Sequence, residues 1–96
     1  MTNWDDVRAR RLEEPGARTE YAAAGLAYRL GKAVRDLREA RHWSQAELGR
    51  RAAMTQSAVA RFEAGGTTPT LPILERFARA LGVELHVGFT DANHVA

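Results

Sequence analysis

Trp43 to Gly65, WSQAELGRRAAMTQSAVARFEAG, constrains this chain most. Ser44 precedes Glu47 by three residues, the spacing of a capping box. The Ser44 hydroxyl can accept from the Glu47 amide, and the Glu47 carboxylate can return to the amide of Ser44. This spacing predicts a helix from about Gln45 to Ala53, with Leu48 and Ala52 on its inner face. Met54 fills a tight turn, and Thr55 is placed to cap a second helix that stops near Gly65 and Gly66. At about 100° per residue the second helix has two arcs. Ala58, Val59 and Phe62 form an apolar one. Gln56, Ser57, Ala60 and Arg61 form a polar one, close to the helix N-terminus. Gln can bond adenine bidentately, Arg can do the same to guanine, and Ser can reach base edges or phosphate. The alternative is an ordinary helical hairpin with a solvated face.

Around this hairpin the periodicity stays helical. Residues 3–14 read as a short amphipathic helix capped by Asn3, with Trp4, Val7 and Leu12 on its apolar side, and Pro15-Gly16 breaks it. From Ala17 to about Arg41, Tyr21, Ala24 and Tyr28, then Leu26, Leu30, Val34 and Leu37, recur at three and four. His42 sits at the C-cap, where His tolerates a left-handed backbone better than most residues. Trp43 plugs the corner. Gly65 to Pro69 is a loop, and Thr70 to Leu81 is the last helix, stopped by Gly82.

Val83 to Phe89 changes period. Val83, Leu85, Val87 and Phe89 alternate with Glu84, His86 and Gly88, as in a half-buried strand. The chain has no second convincing strand, and a lone strand is not stable in water. The expected partner is the same segment of a second copy. Residues 91–96 are expected to be a flexible tail.

The residues Ser44-Gln45-x-Glu47-Leu48, Met54-Thr55-Gln56-Ser57-x-Val59-x-Arg61-Phe62-Glu63-x-Gly65, Pro69-Thr70-Leu71 and Leu81-Gly82 resemble the lambda-repressor-like (Xre) helix-turn-helix family. The resemblance runs from about Leu30 to Gly82. It implies a mainly α bundle with a DNA-binding domain (32–82); the N-terminal helical extension (1–31) reaches beyond the usual family module, and the alternating segment (83–90) is read as a dimerisation strand. The resemblance implies base reading by Gln56, Ser57 and Arg61, and backbone contacts from Ser44 and Thr55. Gln45 would hold a phosphate and brace Gln56, and Thr67 and Thr68 would meet phosphate from the loop. Arg38 and Glu63 match a family ion pair that locks the first helix to the recognition helix. Two positions depart from the family pattern. Gly49 stands for a usual Ala, at a cost of about 1 kcal/mol. Ala53 stands for the usual turn Gly, so the turn must avoid positive φ or accept strain.

Charge supports this reading by its distribution. The 96-residue chain carries a net +2, but residues 32–69 carry +3 while the flanks sum to 0 and −1. Arg50 and Arg51 are candidate phosphate contacts or plain surface. There is no Cys, and the three His follow no metal spacing. No phosphate loop or nucleophile elbow is present, so neither cofactor nor catalysis is expected. The expected setting is the cytoplasm, at the nucleoid.

Two functional classes fit. One is a stand-alone dimeric repressor. The other is an antitoxin, because PTLPILERFARALGVELHVGF and the Trp-Asp opening resemble the bacterial HigA-type and HipB-type antitoxins. That resemblance implies autorepression and a HigB/RelE-like ribonuclease toxin as partner. Trp4, Leu12, Tyr21 and Tyr28 are then the candidate toxin contacts, since aromatic anchors are enriched at interfaces.

Overall fold

The computed structural model describes residues 15–91. It contains helices α1 (Pro15–Ala40), α2 (Gln45–Ala52), α3 (Gln56–Glu63) and α4 (Leu71–Leu81). Each of the last three starts on a hydroxyl cap. Ser44 Oγ accepts from the Glu47 amide at 3.0 Å, Thr55 Oγ1 from Ala58 at 3.1 Å, and Thr70 Oγ1 from Ile73 at 3.4 Å. These bonds satisfy amides that the helices leave without intrahelical acceptors. The left-handed residues His42 (φ 59) and Gly82 (φ 69) follow α1 and α4. The expected helix over residues 3–14 lies outside the described residues. Pro15 is the first residue of α1, two residues before the expected start at Ala17, and its missing N–H costs nothing there.

All four helices contribute to one core: Val34, Leu48, Ala52, Val59, Phe62, Phe77 and Leu81. The Phe62 and Phe77 rings meet at 4.7 Å between centroids, tilted by 48°. Trp43 is half-buried and packs at the margin of this core. The crossing of α1 over the end of α3 depends on Gly31. A Cβ there would lie 2.7 Å from the Glu63 carbonyl oxygen and still closer to that of Phe62. N-terminal to this crossing, α1 is largely uncovered: Tyr21 is 63% exposed, Leu26 48% and Tyr28 60%.

The α2–α3 turn resolves the two family departures together. Ala53 adopts φ 57, ψ 46, so the turn accepts a left-handed non-glycine residue. The chain then folds back onto Gly49: the Met54 amide donates to the Gly49 carbonyl at 2.7 Å. A Cβ on Gly49 would lie 2.5 Å from the Met54 carbonyl oxygen. Gly49 is therefore a steric requirement of this turn as well as a weak helix former.

Residues 83–90 form no strand within the single chain, and the expected partner for the alternating pattern is a second copy. A ladder needs a second backbone, and none of the described residues offers one. The segment instead leaves α4 with the Val83 amide bonded to the Ala78 carbonyl at 3.0 Å. Leu85 is half-buried, beside a shallow apolar groove lined in part by Leu30, Val34 and Leu81. Val87 and Phe89 are exposed.

The turn geometry gives opposite expectations for two small substitutions. Ala53→Gly should raise stability by about 1 kcal/mol by relieving the left-handed penalty. Gly49→Ala should lower it by about 1–3 kcal/mol through the overpacking it forces, despite the better helix propensity of Ala. Urea midpoints at unchanged m-value would check both; a stabilised Gly49→Ala protein would contradict the geometry.

Candidate nucleic-acid interface

Helix α3 is anchored by one arc and presents the other. Val59 and Phe62 are buried, at 0% and 2% exposure. Gln56, Ser57 and Arg61 are exposed, with half-buried Ala60 between them. The anchoring arc fixes the rotation of the helix, and a helix so fixed presents a defined donor and acceptor pattern. Arg61 forms no ion pair among the described residues. Its stem runs beside the following loop: a Cβ on Gly66 would lie 3.1 Å from Arg61 Cγ, and the Gly66 amide donates to the Arg61 carbonyl at 2.9 Å. That loop rests on α1. Gly65, at φ 80, is so close to Tyr28 that a Cβ would lie 3.0 Å from the Tyr28 Cα. Thr67 on this loop is half-buried and Thr68 exposed.

A second group of contacts sets where α3 sits. Arg38 of α1 donates from Nε to Glu63 Oε2 at 2.7 Å and from Nη2 to Glu63 Oε1 at 3.0 Å. Its Nη1 donates to the Trp43 carbonyl at 2.8 Å. Gln45, the first residue of α2, donates from Nε2 to Glu63 Oε1 at 3.1 Å. The side chains of Arg38 and Glu63 are 12% and 4% exposed. The hydrogen bond to Glu63 raises the Arg38 pKa above its ordinary value despite burial. The Gln45 amide, expected to brace Gln56, is engaged by Glu63 in the free chain. Its donor geometry serves the buried carboxylate, which would otherwise carry an unfilled acceptor site.

The basic residues are more occupied than the charge count implies. Lys32 and Arg35 pair with Asp36 and Glu39, each at 2.8 Å along α1. Arg50 donates from Nε to Glu47 Oε2 at 3.0 Å and from Nη2 to Glu47 Oε1 at 2.6 Å. Arg51 donates from Nε to Glu47 Oε1 at 2.8 Å and lies 4.1 Å from the centre of the Trp43 ring, on the cation–π scale. The Glu47 carboxylate, expected to close the capping box on Ser44, thus serves two guanidiniums instead. A charge-assisted bond of this kind outweighs a neutral amide contact at a site open to water. Hydrogen bonds from Arg50 and then Arg51 hold the Glu47 carboxyl below its ordinary pKa. This stabilising contribution is present above the ordinary carboxylate range and fades as pH falls through the lowered value. Arg50 and Arg51 stand at the i+3 and i+4 positions where such pairs form, a local signal that competes with the capping-box spacing of Ser44 and Glu47.

Residues 29–87 match the family model described as a helix-turn-helix domain, more than half of the chain. The chain belongs to the helix-turn-helix domain family. No curated protein and no solved structure matches it. The matched region begins at Arg29, beside the Gly31 crossing, and contains α2, the Ala53 turn and α3. The first half of α1 lies outside it. Helix-turn-helix domains read DNA with their second helix, and α3 is the second helix of the hairpin in this chain. No helix among the described residues is long and apolar enough to cross a membrane.

Proposed function

We propose that this helix-turn-helix protein is a sequence-specific DNA-binding repressor that reads its operator with Gln56, Ser57 and Arg61. The observation that carries this is the exposed polar arc of α3, held in rotation by Val59 and Phe62 and ending in a guanidinium with no ion-pair partner among the described residues. Ser44, Thr55, Thr67, Thr68 and Arg50 take the phosphates beside it, and Gln45 joins them at the start of α2. Contacts of this second kind position the protein without carrying sequence information. The protein acts as a homodimer. Val83, Leu85, Val87 and Phe89 pair antiparallel with the same residues of a second copy, which supplies the backbone partner that the single chain lacks. Two-fold symmetry then requires a near-palindromic operator with half-sites about one helical turn apart.

Arg61→Ala or Gln56→Ala should each cost about 1–3 kcal/mol in operator affinity and relax the preference at one base position per half-site. Binding unchanged in strength and preference after both substitutions would remove these residues from the reading surface.

An antitoxin role is the second reading, and the uncovered face of α1 favours it. Tyr21, Leu26 and Tyr28 are exposed on the segment of α1 that precedes the matched helix-turn-helix region. Exposed aromatics of this kind serve as interface anchors. On this reading the segment binds a HigB/RelE-like ribonuclease, with Trp4 and Leu12, which lie outside the described residues, as further contacts. The toxin–antitoxin pair then represses its own operon. Deletion of residues 1–24 should leave operator binding within about twofold of the full chain and abolish rescue of cells from the toxin. Full rescue by the folded deletion protein would refute the role of this segment.

A further inference from the structure

The arginines that a phosphate contact would use at the start of the helix-turn-helix unit already hold an anion. Glu47 takes the Arg50 guanidinium in a two-point fork, Nε to Oε2 at 3.0 Å and Nη2 to Oε1 at 2.6 Å. Phosphate oxygens accept the same fork. Arg50 cannot offer that edge to DNA and to Glu47 together. Between Lys32 and Pro69, five of the seven basic side chains are paired with carboxylates: Lys32, Arg35, Arg38, Arg50 and Arg51. Of these pairs, Arg38–Glu63 is buried, and Lys32–Asp36 and Arg35–Glu39 lie along α1. The Glu47 cluster alone stands on α2, next to the Ser44 cap.

The two arginines are not equivalent. Arg51 has a second hold, the Trp43 ring at 4.1 Å, and its side chain is 43% exposed. Among the described residues Arg50 bonds to Glu47 alone, and its side chain is 70% exposed. Water can reach the Arg50 pair from the open side, so its exchange for another anion carries little desolvation cost.

We infer that Glu47 is an internal stand-in for a DNA phosphate, which the backbone displaces from Arg50 while Arg51 stays on Trp43. This rests on the reading of Arg50 as a phosphate contact. Glu47 then lowers affinity for every DNA sequence equally, because the exchange involves no base. It acts as a brake on non-specific binding, leaving discrimination to α3. Non-specific affinity is electrostatic and follows the number of phosphates neutralised.

The test uses the full chain and a short mixed-sequence duplex, titrated over a range of salt. Glu47→Gln keeps the side-chain length and helix propensity, and the Ser44 cap bonds the backbone amide at position 47. It should bind about three- to tenfold more tightly at low salt, with a slope of log K against log salt close to that of the unsubstituted chain, because Arg50 neutralises the same phosphate in both. Glu75→Gln on α4 removes the same charge away from the cluster. It should change affinity by less than about twofold, the long-range contribution alone. In an Arg50→Ala background, Glu47→Gln should give no gain beyond that of Glu75→Gln. A Glu47→Gln protein no tighter than Glu75→Gln, or a larger gain that survives in the Arg50→Ala background, would overturn the proposal. If Arg50→Ala itself weakens binding while Glu47→Gln gains nothing, the phosphate contact stands and the displacement fails. If Arg50→Ala leaves affinity and salt slope unchanged, the phosphate reading of Arg50 fails and takes the displacement with it.

Discussion

The Glu63 carboxylate lies at the end of α3, 4% exposed, and accepts from Arg38 twice and from Gln45 once. Everything outward of the core depends on this cluster. Taking two charges out of water is unfavourable unless their hydrogen bonds are nearly all filled. Here Arg38 also donates to the Trp43 carbonyl, and no buried side-chain polar atom among the described residues is left without a partner. The same bonds join the last turns of α1, the first residue of α2 and the last residue of α3. Core packing of Val59 and Phe62 sets the rotation of α3, while the ion pair sets its end against α1. A hydrophobic contact could supply comparable stability, but a two-point fork also specifies register.

The close approach of backbone to backbone is the second constraint. Gly31 lets α1 pass over the carbonyls of Phe62 and Glu63, and Gly65 lets the following loop rest on Tyr28. Gly49 lets the α2–α3 turn fold onto its own helix, with Ala53 taking the left-handed conformation. The exposed polar arc of α3 and the exposed groups of α2 therefore sit on elements spaced by glycine contacts and locked by a buried charge pair. The Glu47 cluster sits outside that frame, on the water-facing side of α2. The rigid contacts serve placement, and under the proposed function the exposed ones serve binding.

Much of this was legible in the residues. Ser44, Thr55 and Thr70 announce helix starts because a hydroxyl before an apolar-periodic run has few other uses. The two arcs of α3 follow from spacing alone. The Arg38–Glu63 pair came from family resemblance, since two charges 25 positions apart carry no local signal. Two features escaped. The role of Gly49 depends on where Met54 returns, which no propensity encodes. The Glu47 carboxylate had two local uses open to it, the cap and the arginines, and spacing permits both. The alternation over Val83 to Phe89 asks for a ladder partner in a second copy, and none stands among the described residues of the single chain.

The energy of the Arg38–Glu63 pair tests the account most directly. Glu63→Ala leaves the Arg38 guanidinium buried without its partner, and the unfolding free energy measured in urea should fall by about 3–5 kcal/mol. A loss below about 1 kcal/mol, the size of an exposed ion pair, would contradict the claim that this contact holds the recognition helix in place.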